Sequence, residues 1–296
     1  MPFHYAHCVS VRWTDETVLR ESERWVHVPP DGVCTEDERR LLVHLPRPWR
    51  QSRVWRSWPP DEERAGELIE ETIGAVHAAG GGKLVWHTGE GISPPFMDEC
   101  LAKYGFETTE KLDVLAFFLV DGLKSRLPRL GVPEGVSAEL VCDADGLRET
   151  LDVDSEVFSS PPPSGEEFAE YAGELEKLSL LERGESLEEG ASLALRFVAF
   201  ADGGSERGGG DDPKTMGAAG AQLVGETLRL WGAVTREAFR GKGAYRALVL
   251  ERCRLGRELG ATLALAKANV ATSGPTLERV GFRNVAMERR HVLEVP

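Results

Sequence analysis

The sequence predicts an α/β protein made of two modules with a shared plan. Apolar runs of strand length alternate with longer segments whose apolar residues recur at helical spacing. One order of elements occurs twice, with Gly105-Phe106 standing 176 positions before Gly281-Phe282. The length of 296 residues is enough for two cores of ordinary size.

Composition narrows the class. Apolar content of 41% with 28% charged residues is that of a folded, water-exposed chain. No run approaches eighteen consecutive apolar residues, and the start Met1-Pro2-Phe3-His4-Tyr5 has no basic stretch leading into an apolar one, so a cytosolic protein without a membrane span is expected. A net charge of −14 argues against nucleic acid as a partner and is compatible with a cationic acceptor such as an amine. Cys8, Cys34, Cys100, Cys142 and Cys253 are far apart, with no Cys-x-x-Cys pair and no zinc-like His spacing. Reduced thiols and no metal are expected, with Cys142 and Cys253 as small core residues.

In the first copy, residues 61–79 form an amphipathic helix with Leu68, Ile69, Ile73 and Val76 on one side and Asp61 as N-cap. After three glycines come a strand at 83–86, a short helix from Ser93 to Tyr104, Gly105-Phe106 and a strand at 114–120. Gly122, Pro128, Gly131 and Pro133 interrupt both periodicities, so a linker is expected over 121–133, between modules at 1–122 and 133–296.

The second copy opens with a strand at 137–142 and a helix at 143–158 capped by Asp143. A proline-rich break precedes an acidic helix ending near 181 that carries Glu166, Glu167, Glu170 and Tyr171. Strands at 193–200 and 218–224 flank 203–215, a run of Gly, Asp, Ser and Pro that reads as a flexible hairpin. Leu228, Leu230, Ala233 and Val234 belong to a strand ending near Thr235, and a broad apolar stripe from Ala247 to Leu259 marks a helix.

Between that strand and that helix lies Phe239-Arg240-Gly241-Lys242-Gly243-Ala244-Tyr245-Arg246. The first turn of a helix has unpaired N–H groups and a partial positive charge, and glycines remove the Cβ atoms that would block an anion. A phosphate-binding P-loop requires Ser or Thr after its Lys, but Gly243 follows Lys242. The dinucleotide fingerprint requires a small residue where Arg246 stands and a carboxylate near the end of the next strand, where residues 261–268 have no acid.

Arg240-Gly241-Lys242-Gly243-Ala244-Tyr245 resembles the acyl-CoA pyrophosphate loop, Arg-x-x-Gly-x-(Gly/Ala), of the GNAT acyltransferase superfamily. The helix to Gly260, the strand over 262–266, Asn269, Ser273, Pro275, Leu277, Gly281-Phe282 and a final strand follow in the family's order. The tandem layout is similar to that of the mycothiol synthase branch. The first copy enters its helix through Trp58-Pro59-Pro60-Asp61-Glu62-Glu63, with acids in place of glycines, and reads as a degenerate module that has lost acyl-CoA.

The resemblance implies two modules, each a mixed, mostly antiparallel sheet flanked by helices, and an N-acetyltransferase using acetyl-CoA as co-substrate toward a small-molecule or protein amine. It places Ala233, Val234 and Thr235 along the pantetheine, Arg240, Gly241, Lys242, Gly243, Ala244 and Tyr245 around the pyrophosphate, and Asn269 and Ser273 toward the cofactor. The acidic helix would cover the acceptor cleft. Arg236 adds charge near the phosphates, and Glu226, with Glu237 behind it, is the candidate base through a water. Leu277 stands where family enzymes often carry a Tyr acid, so another group or water protonates the thiolate, or the protein only binds acyl-CoA. A non-catalytic or regulatory acyl-CoA-binding protein and a purely structural one are the rivals, and acyl length and oligomeric state stay open.

Overall fold

The computed structural model describes residues 13–28, 32–45, 50–121, 124–128, 130–159, 161–183, 192–201 and 215–296. The first half runs α1 (Asp15–Glu23), β1 (Val33–Glu36), β2 (Arg40–Leu45), β3 (Gln51–Ser57), α2 (Glu62–Ala78), β4 (Gly82–Gly89), α3 (Met97–Lys103) and β5 (Glu107–Phe118). A small hairpin follows, β6 (Val120–Asp121) with β7 (Lys124–Ser125), overlapping the start of the expected linker. The second half runs β8 (Val136–Leu140), α4 (Ala144–Phe158), α5 (Gly165–Glu182), β9 (Leu193–Ala201), β10 (Thr215–Val224), β11 (Thr227–Thr235), α6 (Ala244–Glu258), β12 (Leu263–Asn269), α7 (Gly274–Arg279) and β13 (Arg283–Val295).

Contacts divide this chain into two units that do not follow chain order. The N-unit comprises Thr14–Leu115, Lys267–Arg279 and Arg283–Pro296; the C-unit comprises Ala116–Ala266 with Val280–Phe282 and Trp13. The contiguous division at 122 to 133 expected from sequence is therefore not where contacts separate the chain. The reason is strand pairing: β13, the last strand, runs antiparallel to β4, with Glu288–Val295 opposite Gly82–Gly89. Residues distant in sequence thus complete the N-unit's sheet.

In the N-unit the strand order is β1-β2-β3-β4-β13-β5, with β3 and β4 parallel. Alternating side chains of β4 and β13 join α2 and α3 in one core that includes Leu68, Ile69, Val76, Leu84, Trp86, Met97, Leu101, Phe106 and Val295. Trp86 is fully buried and satisfies its indole N–H on Ser57 Oγ at 3.1 Å. A second cluster forms from Leu41, Val43, Leu45 and Trp55 with Val26.

Asp61 caps α2 as its sequence predicts, Oδ1 accepting from the Arg64 backbone N–H at 2.8 Å. Asp61→Ala is expected to lower stability by about 1 kcal/mol, read as a shifted urea midpoint at unchanged slope. An unmoved midpoint would mean that the cap contributes nothing.

In the C-unit the order is β12-β11-β10-β9-β8, with β11 and β12 parallel and the other pairs antiparallel. α4 packs on β9, β10 and β11, and Val141, Leu147, Leu151, Val198 and Phe200 form a core with Phe168, Tyr171 and Leu175 of α5. The apolar stripe of α6 buries Ala247, Leu248 and Cys253 as it packs along β8 to β11. The hairpin expected at 203–215 lies outside the described residues apart from Thr215, which opens β10. No helix among the described residues is long and apolar enough to cross a membrane.

The thiols separate by burial. Cys100 and Cys253 are buried, and Cys34 and Cys142 exposed; Cys8 lies outside the described residues. The core placement expected for Cys142 is thus corrected: it lies past the end of β8 at Leu140 and just before Asp143, the N-cap of α4, where the chain turns at the surface. Burial pushes the Cys253 thiol up to about 12. Peptide mapping after brief iodoacetamide treatment at pH 8 should find Cys34 and Cys142 alkylated and Cys253 untouched until the protein is unfolded; early labelling of Cys253 would contradict its burial.

Candidate functional site

Two irregularities of β11 create a free backbone edge in the C-unit. Its parallel pairing with β12 extends from Thr227↔Leu263 to Leu230↔Ala266, whereas β11 itself continues to Thr235. Its pairing with β10 jumps from Gly220↔Trp231 to Ala218↔Val234, so Gly232 and Ala233 together oppose Ala219. This is a β-bulge whose first residue, Gly232, has φ +60°, a left-handed backbone that favours glycine. A bulge takes a peptide group out of the ladder and turns it, leaving its N–H and C=O for another partner.

The bulge is held from α6 by a buried arginine. Arg252 is 2% exposed and donates from Nη1 to Gly220 O at 2.9 Å and Trp231 O at 3.4 Å, and from Nε to Leu248 O at 3.0 Å. Burial pulls this guanidinium below the usual arginine range, with Tyr245 and Cys253 acting in the other direction.

After Thr235 the chain makes one 3-10 turn, Glu237–Phe239, and then reaches Gly241 at φ +78° and Gly243 at φ +102°. The N–H groups of Phe239, Arg240 and Lys242 bond within the turn, to Arg236 O, Glu237 O and Phe239 O. Gly243 is the N-cap of α6 and supplies no side-chain cap. The opening N–H groups of the helix, through Arg246, are therefore left for an external acceptor. Arg240, Gly241 and Lys242 are exposed, Gly243 and Ala244 buried, and the half-buried Tyr245 phenol has its pKa raised by burial.

Other expected residues are placed differently. Arg236 is occupied away from the loop, donating from Nε to Glu156 Oε2 at 2.8 Å and from Nη1 to Thr215 O at 3.1 Å. Glu226 sits in the turn before β11, where its Oε2 accepts from Thr262 Oγ1 at 2.8 Å; Thr262 Oγ1 in turn accepts from the Trp13 indole at 2.9 Å. From there to Trp231, where pairing with β12 has ended, is roughly 16 Å of strand. One water does not span that distance, so Glu226 as base is corrected to a structural turn residue. Glu237 is exposed on the 3-10 turn.

Asn269 and Ser273 belong to the N-unit. Asn269 Oδ1 accepts from the Ala271 N–H at 2.9 Å, and the residue lines a polar cavity of about 550 Å³ with Asp98, Thr108, Glu110 and Arg289. Ser273 precedes α7, its carbonyl accepting from Thr276 and Leu277. Leu277 is 2% exposed and offers no proton.

On the acidic helix, Glu167 closes a capping box with Ser164 and Glu170 is exposed; the Glu166 side chain lies outside the described residues. Tyr171 faces inward. The Arg196 guanidinium lies between the Tyr171 ring at 4.6 Å and the Trp231 ring at 5.3 Å, and pairs with Asp154 at 3.2 Å. Burial raises the Asp154 pKa, against the pull of Arg196.

The residues that sequence reading missed are Trp231, Gly232 and Arg252. A signal was present for the first, because Arg53-Val54-Trp55 repeats as Arg229-Leu230-Trp231 at the same spacing as the Gly-Phe pair. The N-unit shows the same strand geometry: β3 and β4 pair only from Gln51↔Lys83 to Val54↔Trp86, and Trp55 is an extra residue between Leu41↔Arg56 and Leu42↔Val54. It lacks a glycine-opened helix start, since Asp61 caps α2 and Glu62 and Glu63 follow.

No family model matches the chain, and no curated protein matches it. Solved structures do. A GCN5-related N-acetyltransferase from Kribbella flavida aligns at 14% identity with a TM-score of 0.60, over 88% of this chain and 89% of its own. One from Sphaerobacter thermophilus aligns at 17% identity and TM-score 0.60, over 95% and 85%. A tandem GNAT protein from the clavulanic acid biosynthesis pathway, solved without AcCoA, aligns at 15% and TM-score 0.57, over 94% and 88%. At such identities the likeness is one of fold, shared over nearly the whole chain.

Proposed function

We propose that this chain, which has the GNAT fold in tandem form, binds acetyl-CoA in its C-unit and transfers the acetyl group to an amine. The observation that carries the reading is the coincidence, within one unit, of a bulged free strand edge and a glycine-opened helix start without a side-chain cap. The peptide groups of Ala233, Val234 and Thr235 would pair with the pantetheine amides. The N–H groups at Gly241 and Gly243–Arg246, with Arg240 and Lys242, would take the pyrophosphate.

The amine must attack in its neutral form. Its nitrogen bonds to the thioester carbon, the carbonyl oxygen becomes an oxyanion held by a backbone N–H at the bulge, and the C–S bond then breaks. The nitrogen, positively charged after attack, gives its extra proton to solvent water; the oxyanion re-forms the carbonyl, and the thiolate leaves with the electron pair and takes a proton from solvent, which suits a thiol pKa of about 8.5 and an aliphatic Leu277. The acceptor, a small-molecule or protein amine, meets the face bearing Tyr171, Arg196 and Trp231. The reading places the protein in the cytosol and excludes nucleic acid as a partner.

A second reading, a non-catalytic acyl-CoA-binding or regulatory protein, is favoured by Leu277 and by the loss of Glu226 as base. Calorimetric titration with acetyl-CoA, followed by thiol release against a panel of amines, separates the two. Binding with turnover of any amine supports the enzyme, binding without turnover supports the second reading, and no binding refutes both.

A further inference from the structure

We propose that the N-unit binds a small anionic metabolite that also carries a hydrogen-bond donor, of the hydroxy- or amino-carboxylate class, where β3 and β4 diverge. Among the described residues nine buried side-chain atoms lack a hydrogen-bond partner, an ordinary total for a chain of this size. Their distribution is not ordinary. Four of them, Trp55 Nε1, His87 Nδ1, Glu288 Oε2 and Arg290 Nε, come from adjacent strands of the N-unit.

These four side chains stand on one face of three neighbouring strands. The Trp55 and His87 rings stack at 4.5 Å across the divergence, and Arg290 stands directly opposite His87 in the β13–β4 register. Glu288, two residues along β13, is 1% exposed; its Oε1 takes Lys267 at 2.8 Å and Ser22 Oγ at 3.2 Å. His87 is 2% and Trp55 9% exposed, whereas the Arg290 side chain is 38% exposed and gives a route in.

Charge sets the ligand class. Glu288 neutralises Lys267 and Glu110 neutralises Arg290. Among the described residues Arg53, 5.9 Å from the Trp55 ring, donates only to Gln51 Oε1, at 2.9 and 2.7 Å, and has no carboxylate partner. His87 is held neutral by burial and by Arg290, Lys267 and Arg53. One cation and two unpaired N–H donors, on Trp55 and Arg290, await an anionic acceptor, while Glu288 Oε2 awaits a donor. A cationic amine without an anionic group would meet net positive charge and is disfavoured.

The site is independent of the acyl-CoA loop. Full-length protein is titrated with D-glycerate and L-serine, with acetate and inorganic phosphate as separate arms, following tryptophan fluorescence and thermal midpoint. Saturable binding of glycerate or serine at millimolar or better affinity is expected, with acetate about tenfold weaker for want of a donor. Arg53→Gln and Trp55→Phe should each weaken binding about tenfold, Trp55→Phe keeping the ring that the fold uses. Glu288→Gln should narrow the gap between glycerate and acetate. Absence of any saturable response, phosphate or acetate binding as tightly as glycerate, or unchanged affinity in Trp55→Phe would overturn the proposal. Acetyl-CoA affinity should be unaffected in Trp55→Phe, which keeps failure here separate from failure of the acyl-CoA reading.

Discussion

Replacing Gly241 by aspartate should weaken acetyl-CoA binding at least about a hundredfold, roughly 2.7 kcal/mol, in a protein that stays folded. A Cβ at this position meets nothing within 4 Å, and φ +78° lies in the left-handed region that aspartate enters more readily than other side chains. The new carboxylate would repel the pyrophosphate and compete for the same helix N–H groups. The N-unit already illustrates that effect, where Asp61 Oδ1 accepts the Arg64 N–H at the start of α2. Gly243 is a poorer probe: a Cβ there would collide with the Pro133 ring, and φ is +102°, so loss of binding would be confounded with loss of fold. Calorimetry gives the affinity and urea unfolding the control. Wild-type affinity in a folded Gly241→Asp protein would mean that the phosphates bind elsewhere.

Arg252→Met should lower stability by about 2 kcal/mol and weaken acetyl-CoA binding by altering the bulge. Methionine fills much of the volume but leaves Gly220 O and Trp231 O without the donor they share, at about 1–3 kcal/mol for each buried carbonyl. Removing a desolvated cation that has no carboxylate partner among the described residues returns part of that cost, which is why the net effect is smaller than the two penalties together. Leu248 O is less affected, because the helix ladder also serves it. Denaturant unfolding with a constant slope measures the effect. An unchanged midpoint with unchanged affinity would show that Gly232 sets the bulge without help from α6.

Much of the fold was legible because its signals are local. The Asp61 and Asp143 caps, the apolar stripe of α6 and the glycine loop each depend on residues within a few positions of one another. The duplication is legible from Gly105-Phe106 and Gly281-Phe282, and the repeated Arg-x-Trp marks both diverging strands. Glu226 was misjudged because its sequence position near β11 does not reveal which end of the strand the turn occupies relative to the loop. Arg236 was misjudged because its partners, Glu156 and Thr215, come from α4 and β10. The apolar neighbours of Cys142 point to the core, whereas the turn between β8 and α4 exposes it.

Short-range sterics, hydrogen bonding and periodicity set the elements, their caps, the repeated plan and the glycine loop ahead of α6, so all of these are legible in the chain before it folds. Strand pairing between distant parts of the chain brings β13 to the sheet of the N-unit, lets Arg252 anchor the Gly232 bulge, and sets Trp55, His87, Glu288 and Arg290 on one face of neighbouring strands. Those outcomes depend on which strands pair and in what register. Register is fixed by the burial of whole faces from distant parts of the chain, which no local stretch of sequence encodes.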